Sequence, residues 1–260
     1  MRRIGAIVFL SLVIVIIFVP LLTMVVLSFC KGRFASFPWP GWSLQWYRQF
    51  FENSLLHLSL LRSLMVGFEV AVISTLLGFG SGYALSRMPS RVGSSLLMLI
   101  TLPAIIPFVL FGFCFIEFAG YIGILRTTFA VFVAHIVVFS PLSTALCYHR
   151  FRQLNLDIED AARELGASEI KIFFIIVGGQ SWRTLIASGI VIFVLSWDEY
   201  IISWFLSGFN KTYPVYVRNM LESTMSPEIN AVGSIITVLS LCLMSMALYL
   251  LRNPEKLREN

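Results

Sequence analysis

Charge is what this sequence lacks most. Only 13% of its 260 residues are Asp, Glu, Lys or Arg, about half the share of an ordinary soluble domain. Against that, 58% are hydrophobic and the mean hydropathy is +0.85, which excludes a soluble globular fold and describes a chain that lives in lipid. Cysteine is also scarce: Cys30, Cys114, Cys147 and Cys242 lie in or beside apolar runs without CxxC spacing. Neither a disulfide framework nor a zinc site is indicated, and the four read as small apolar side chains. No G-x-x-x-x-G-K-[ST] run is present to cradle nucleotide phosphates, and neither HExxH nor GxSxG occurs. An intramembrane hydrolase would therefore want for its metal or its nucleophile. The net charge of +5 does not point to nucleic acid, because the basic residues are scattered between apolar runs rather than gathered on one face.

What is present is a series of long apolar runs. A helix needs about 20 apolar residues to cross the hydrocarbon core, and six segments reach that length: 4–29, 63–86, 94–116, 127–148, 184–206 and 231–251. The expected fold is an all-α membrane protein with six transmembrane helices, a single domain over 1–260. Six spans put both termini on one side. Twelve of the 19 Lys and Arg, among them Lys256 and Arg258, fall on that side and seven on the other, so the positive-inside rule makes the chain N-in and C-in. The first run follows Arg2-Arg3 as a signal peptide would, but it exceeds a normal h-region and no A-x-A site follows, so it is expected to stay as an anchor. Pro103 and Pro107 predict a kink in the third run, helped by Pro141 in the fourth. Gly78, Gly80 and Gly82 are expected to permit close helix packing.

Two connections are long. Residues 31–61 form an external loop in which Leu44, Trp46, Tyr47, Phe50, Phe51 and Leu55 predict an amphipathic helix at the interface, read as a packing lid. Residues 149–183 form a cytoplasmic loop, with helix-forming residues up to Gly166 and a restart at Ala167-Ser168. Its first helix carries Asp157, Glu159, Asp160, Arg163 and Glu164, too polar for lipid. Ala161 and Ala162 give it a small-residue face that another backbone can approach.

On this loop the chain resembles the permease subunits of bacterial ABC importers, whose pattern there is E-A-A-x3-G-x9-I-x-L-P. Asp160-Ala161-Ala162, Gly166 and Ile176 match that spacing. Asp160 stands where the family has Glu, and Gly178-Gly179 stand where it has Leu-Pro, a departure that predicts a more flexible path into the fifth run. Three further stretches, Ser43-Leu44-Gln45-Trp46-Tyr47, Leu195-Ser196-Trp197-Asp198-Glu199 and Ser226-Pro227-Glu228-Ile229-Asn230-Ala231, are similar to the spermidine/putrescine type of permease. The resemblance implies the type I importer permease (MetI-like) fold in a bacterial inner membrane. It gives Glu159, Asp160, Ala161, Ala162 and Gly166 the role of a coupling helix seated in a cleft of an ATPase. It also implies two ATPase copies that use ATP-Mg, a second and related permease subunit, an external substrate-binding protein and a polyamine cargo, with no cofactor on this chain. The alternative is a subunit of a gradient-driven secondary carrier or a channel.

The acidic residues support a cationic cargo by a separate route. A carboxylate in the hydrocarbon core costs about 2.5–3.5 kcal/mol even on insertion scales, so such groups face the bundle or a wet cavity. Asp198 and Glu199 interrupt the fifth run, Glu69 lies in the second and Glu117 closes the third; at about 1.5 Å of rise per residue they gather toward the outer side. With the fifth run taken as one helix of about 100° per residue, Glu199 and Ser203 share a polar arc flanked by Trp197, Tyr200 and Trp204. Glu199 is then expected to line the pathway, with aromatic faces attracting the ammonium groups, and Asp198 to act at a helix interface or gate. The competing expectation is that both acids pair with Arg or His135 of neighbouring runs and only hold the bundle together. His135 itself is expected to be a hydrogen-bonded packing residue.

Overall fold

A computed structural model of the chain describes residues 2–33, 38–223 and 227–252; Ser226, Lys256 and Arg258 lie outside them. Its regular elements are helices: α1 (Arg2–Ser28), α2 (Gln45–Glu52), α3 (Ser54–Ser86), α4 (Ser90–Ile105), α5 (Phe108–Tyr121), α6 (Thr128–Phe151), α7 (Leu156–Glu164), α8 (Glu169–Lys171), a π-helix (Ile172–Val177), α9 (Gly178–Trp197), α10 (Ile201–Leu206), α11 (Tyr213–Ser223) and α12 (Glu228–Leu251). They gather in two compact units, Met1–Leu58 with Tyr216–Leu241, and Ser59–Val215 with Cys242–Asn260. Among the described residues, five single helical stretches are long and apolar enough to cross a membrane, or six if the α4–α5 pair, bent by 89°, is one span.

In the first unit, α1 keeps apolar side chains exposed all round, from Ile7 and Phe9 to Leu22 and Val26, a surface only lipid or another apolar helix can cover. The loop beyond it folds back onto its end. Trp46 Nε1 donates to the Cys30 carbonyl at 2.6 Å, Ser28 Oγ and Tyr47 OH lie 2.7 Å apart, and Cys30 forms an antiparallel bridge with Trp42. Of the apolar residues expected on one face, Trp46 and Phe50 are buried while Leu44, Phe51 and Leu55 stay exposed. The helix is shorter than expected and stops at Glu52, because Asn53 Oδ1 accepts from Leu56 N–H at 3.1 Å and so caps the start of α3. The second span consequently begins at Ser54 rather than 63.

The second unit is built on α3, α6 and α9. Glycine sets the α3–α6 approach: a Cβ on Gly78 would stand 2.1 Å from Ser143 Oγ and one on Gly82 2.7 Å from Cys147 Cβ, whereas Gly80 faces open space. Close backbones let hydroxyls bond across helices; Ser81 Oγ pairs with Thr144 Oγ1 and Ser188 Oγ with Ser143 Oγ, each at 2.8 Å. Val66, Val70, Ala134, Val138, Ile192 and Ile202 belong to the apolar core of this unit. The kink in the third span is a full break. Ile106, ahead of Pro107, is extended (φ −66°, ψ 130°), as a residue before proline prefers.

Candidate functional site

The loop between α6 and α9 is organised by caps. Asn155 Oδ1 accepts from Asp157 N–H at 3.1 Å to start α7, with Asp157 and Glu159 in the first turn where the helix dipole favours acids. At the other end Gly166 has φ +82°. Its N–H bonds the Arg163 carbonyl and that of Ala167 bonds the Ala162 carbonyl, both at 2.9 Å. This is a Schellman turn, and its left-handed residue is why glycine stands at the break. Ser168 then caps α8 by accepting from Lys171 N–H. The path into the fifth span is continuous helix: the π-helix passes into α9 with Gly178 in helical conformation (φ −61°, ψ −45°).

Of the five residues expected to face an ATPase, Glu159 is turned inward, 2% exposed. Its Oε2 accepts from Tyr83 OH at 3.2 Å and from Arg87 Nε at 3.3 Å, and its Oε1 from Arg87 Nη2. Ala162 is half-buried, packed against the apolar cluster of Phe79, Cys147, Phe151, Ile172 and Val177. Asp160, Ala161 and Gly166 are exposed, and beside them stand Leu156, Ile158, Leu165 and Ile170, the last two 89% and 71% exposed. The outward surface of the loop is thus apolar with acidic edges. Arg163 bridges Glu169 at 2.7 Å and Asp160 at 2.6 Å, and these bonds, Glu169 first, raise its pKa above the ordinary arginine value. They tie α7 to α8. Sequence reasoning missed Arg87 and Tyr83. A lone basic residue at the cytoplasmic end of an apolar run carries only the positive-inside signal.

At the other end of the unit the fifth span breaks at Asp198–Tyr200, between α9 and α10. The helical phase drawn across 184–206 therefore fails from Asp198 onward. Glu199, expected to line a pathway, is 6% exposed. Its two oxygens accept from the N–H groups of Ile202 and Ser203, both at 2.9 Å, which caps α10, and His135 Nε2 lies 3.3 Å from Oε2. His135 Nδ1 is 2.8 Å from Ser196 Oγ, so the imidazole is the hydrogen-bonded packing residue expected. Ser203 and Trp197 are buried with Glu199, Tyr200 is half-buried, and Trp204 is 54% exposed. Asp198, Glu69 and Glu117 are exposed. Asp198 and Glu69 share a level: a Cβ on Gly67, two residues before Glu69, would stand 3.0 Å from the Cβ of Trp197.

Residues 74–256 match the family model of the binding-protein-dependent transport system inner membrane component, and the chain belongs to that family. It is 29% identical over 250 residues to the putrescine transport system permease protein PotI of Escherichia coli (strain K12), covering 93% of this chain and 89% of that one. It is 25% identical over 240 residues to the spermidine/putrescine transport system permease protein PotC of Haemophilus influenzae, covering 92% and 93%. Among solved structures, a bacterial ABC transporter that imports the acidic polysaccharide alginate superposes with a TM-score of 0.68 at 18% identity, over 93% of this chain and 92% of that one. The fold is that of the type I importer permeases, and the chain is a membrane-embedded permease subunit of an ABC importer rather than an enzyme. In such systems ATP hydrolysis belongs to a separate subunit.

Proposed function

We propose that this permease moves polyamines or a related organic cation inward, in a complex with a second, related permease, two ATPase copies that use ATP-Mg, and an external binding protein that delivers the cargo. The observation that carries this reading is the similarity to PotI and PotC over more than nine-tenths of the chain. The exposed carboxylates of Asp198, Glu69 and Glu117 support it, because an uncompensated acid in lipid is retained where it meets a cation. Tyr200, two residues on from Asp198, and the exposed Trp204 offer aromatic faces for ammonium groups, worth about 0.5–2 kcal/mol each. On this reading Asp198 and Glu69 face the cargo, and Glu199 holds the backbone break that presents Asp198.

At the other end, α7 with Asp160, Ala161, Gly166 and the apolar Leu156, Ile158, Leu165 and Ile170 forms the surface that docks on the ATPase. An apolar patch edged by acids is the composition of a protein interface rather than of a solvated loop. The test is uptake of radiolabelled putrescine and spermidine into vesicles holding the assembled complex and its binding protein. ATP-dependent accumulation, competed by the other polyamine, is the expected result. Uptake that persists without ATP or ATPase refutes the mechanism, and ATP-driven uptake indifferent to both polyamines refutes the cargo.

A further inference from the structure

Helix α7 is fastened to its unit in two ways. One is apolar: Ala162 packs against the cluster of Phe79, Cys147, Phe151, Ile172 and Val177, in which Phe79 stacks on Phe173 of the π-helix with centroids 4.1 Å apart and Phe151 closes on Phe79 at 5.7 Å. The other is polar: Tyr83 OH donates to Glu159 Oε2 at 3.2 Å, and Arg87 makes the remaining bonds. The Arg87 guanidinium gives Nε and Nη2 to the two oxygens of Glu159. Its Nη1 donates to Ser86 Oγ at 3.0 Å and to the Phe151 carbonyl at 3.2 Å. Its plane lies over the Tyr83 ring, 4.9 Å from the centroid. Tyr83 and Ser86 are the last turn of α3, and Phe151 is the last residue of α6, so one cation joins α7 to the ends of two spans. Arg152 reinforces the junction through the Ser86 carbonyl at 3.2 Å and Ser90 Oγ at 2.5 Å.

The two fastenings differ mechanically. Apolar contacts are non-directional and let surfaces slide, whereas a forked guanidinium–carboxylate pair fixes orientation as well as distance. Only the second can pass a tilt of α7 to the spans without slack. We infer that Arg87 is a positioning residue for transport: through Glu159 it makes α7 and the cytoplasmic ends of α3 and α6 one rigid joint, so that displacement of α7 moves both spans together. This rests on the reading of α7 as the surface driven by the ATPase.

The test uses the whole transporter in lipid nanodiscs, with native cysteines replaced by alanine and spin labels at Ala84 on α3 and Asp157 on α7, both exposed. In the otherwise native chain the label separation is expected to be single and narrow, and the same with and without a non-hydrolysable ATP analogue. With Arg87→Met it is expected to broaden or split, and putrescine uptake per ATP hydrolysed to fall roughly tenfold, within the range by which residues between coupled sites act. Arg87→Lys, a charge without the fork, is expected to restore the narrow distance in part and leave a deficit of roughly threefold. An unchanged separation and unchanged uptake per ATP in Arg87→Met overturn the joint, as does a separation that shifts with nucleotide in the otherwise native chain. Should Arg87→Met fail to assemble, the isosteric Glu159→Gln carries the same two outcomes. The nucleotide-free distance asks nothing of the ATPase: a Leu165→Lys complex that still pumps defeats the docking reading and leaves the label distance to judge the joint.

Discussion

Two adjacent acidic pairs mark the two ends of the second unit, Glu159-Asp160 in the cytoplasmic loop and Asp198-Glu199 in the fifth span, and they are built alike. In each the glutamate is buried and the aspartate exposed. The partners differ. Glu159 meets a phenol from α3 and the guanidinium of the residue that follows that helix, whereas Glu199 meets an imidazole from α6 and two main-chain N–H groups of its own next helix. The first pairing ties one element to another; the second holds open a break within one span. In both, the longer side chain reaches inward to a structural partner and the shorter one is left facing outward.

That parallel can be broken most sharply at Glu199. Glu199→Ala strands the N–H groups of Ile202 and Ser203 in a buried site, an expected loss of about 3 kcal/mol, read as a lower melting midpoint and poorer assembly in detergent. If melting is unchanged and only uptake falls, Glu199 serves the pathway directly and the two ends are not alike. Gly166→Val comes next. An added Cβ there meets nothing within 4 Å, so the cost is the left-handed backbone alone, about 1–2 kcal/mol. The expected result is a distorted α7–α8 turn and ATP hydrolysis uncoupled from uptake, and normal coupling in that variant would remove the turn from the mechanism. Asp198→Asn sharpens the outer half of the comparison: stability within about 0.5 kcal/mol of the parent, with polyamine uptake down several-fold. Equal uptake would leave Asp198 no part in the path. Asp160→Glu should do least, since the carboxylate lies on the surface beside Arg163 and one more methylene still reaches it; transport rates should match.

The spans were legible because apolar length is a local property. So were the turn of the loop after α6, through Gly166, and the α4–α5 break, through Pro107. The second break was not. No proline or glycine stands at 198–200, and the helix ends there because the Glu199 carboxylate turns back on Ile202 and Ser203 with His135 behind it. With phase lost at Trp197, a continuous helical wheel exchanged the environments of Asp198 and Glu199. The start of α3 at Ser54 was hidden for a related reason, since Asn53 is a cap only once Leu56 is known to follow it in helix. Arg87 gave no signal beyond its charge, because its value lies in meeting Glu159 across 72 positions of chain.

Composition and spacing by themselves determined that this chain crosses a membrane several times, that it carries a polar helical loop with a glycine break, and that acids persist where lipid should exclude them. Those properties rest on transfer free energy and local backbone preference, which each residue carries with it. Which member of each acidic pair is enclosed, and which cation encloses it, was decided only by tertiary structure. A carboxylate is buried when donors converge on it from separate helices, and convergence is a property of the packed bundle rather than of any stretch of sequence.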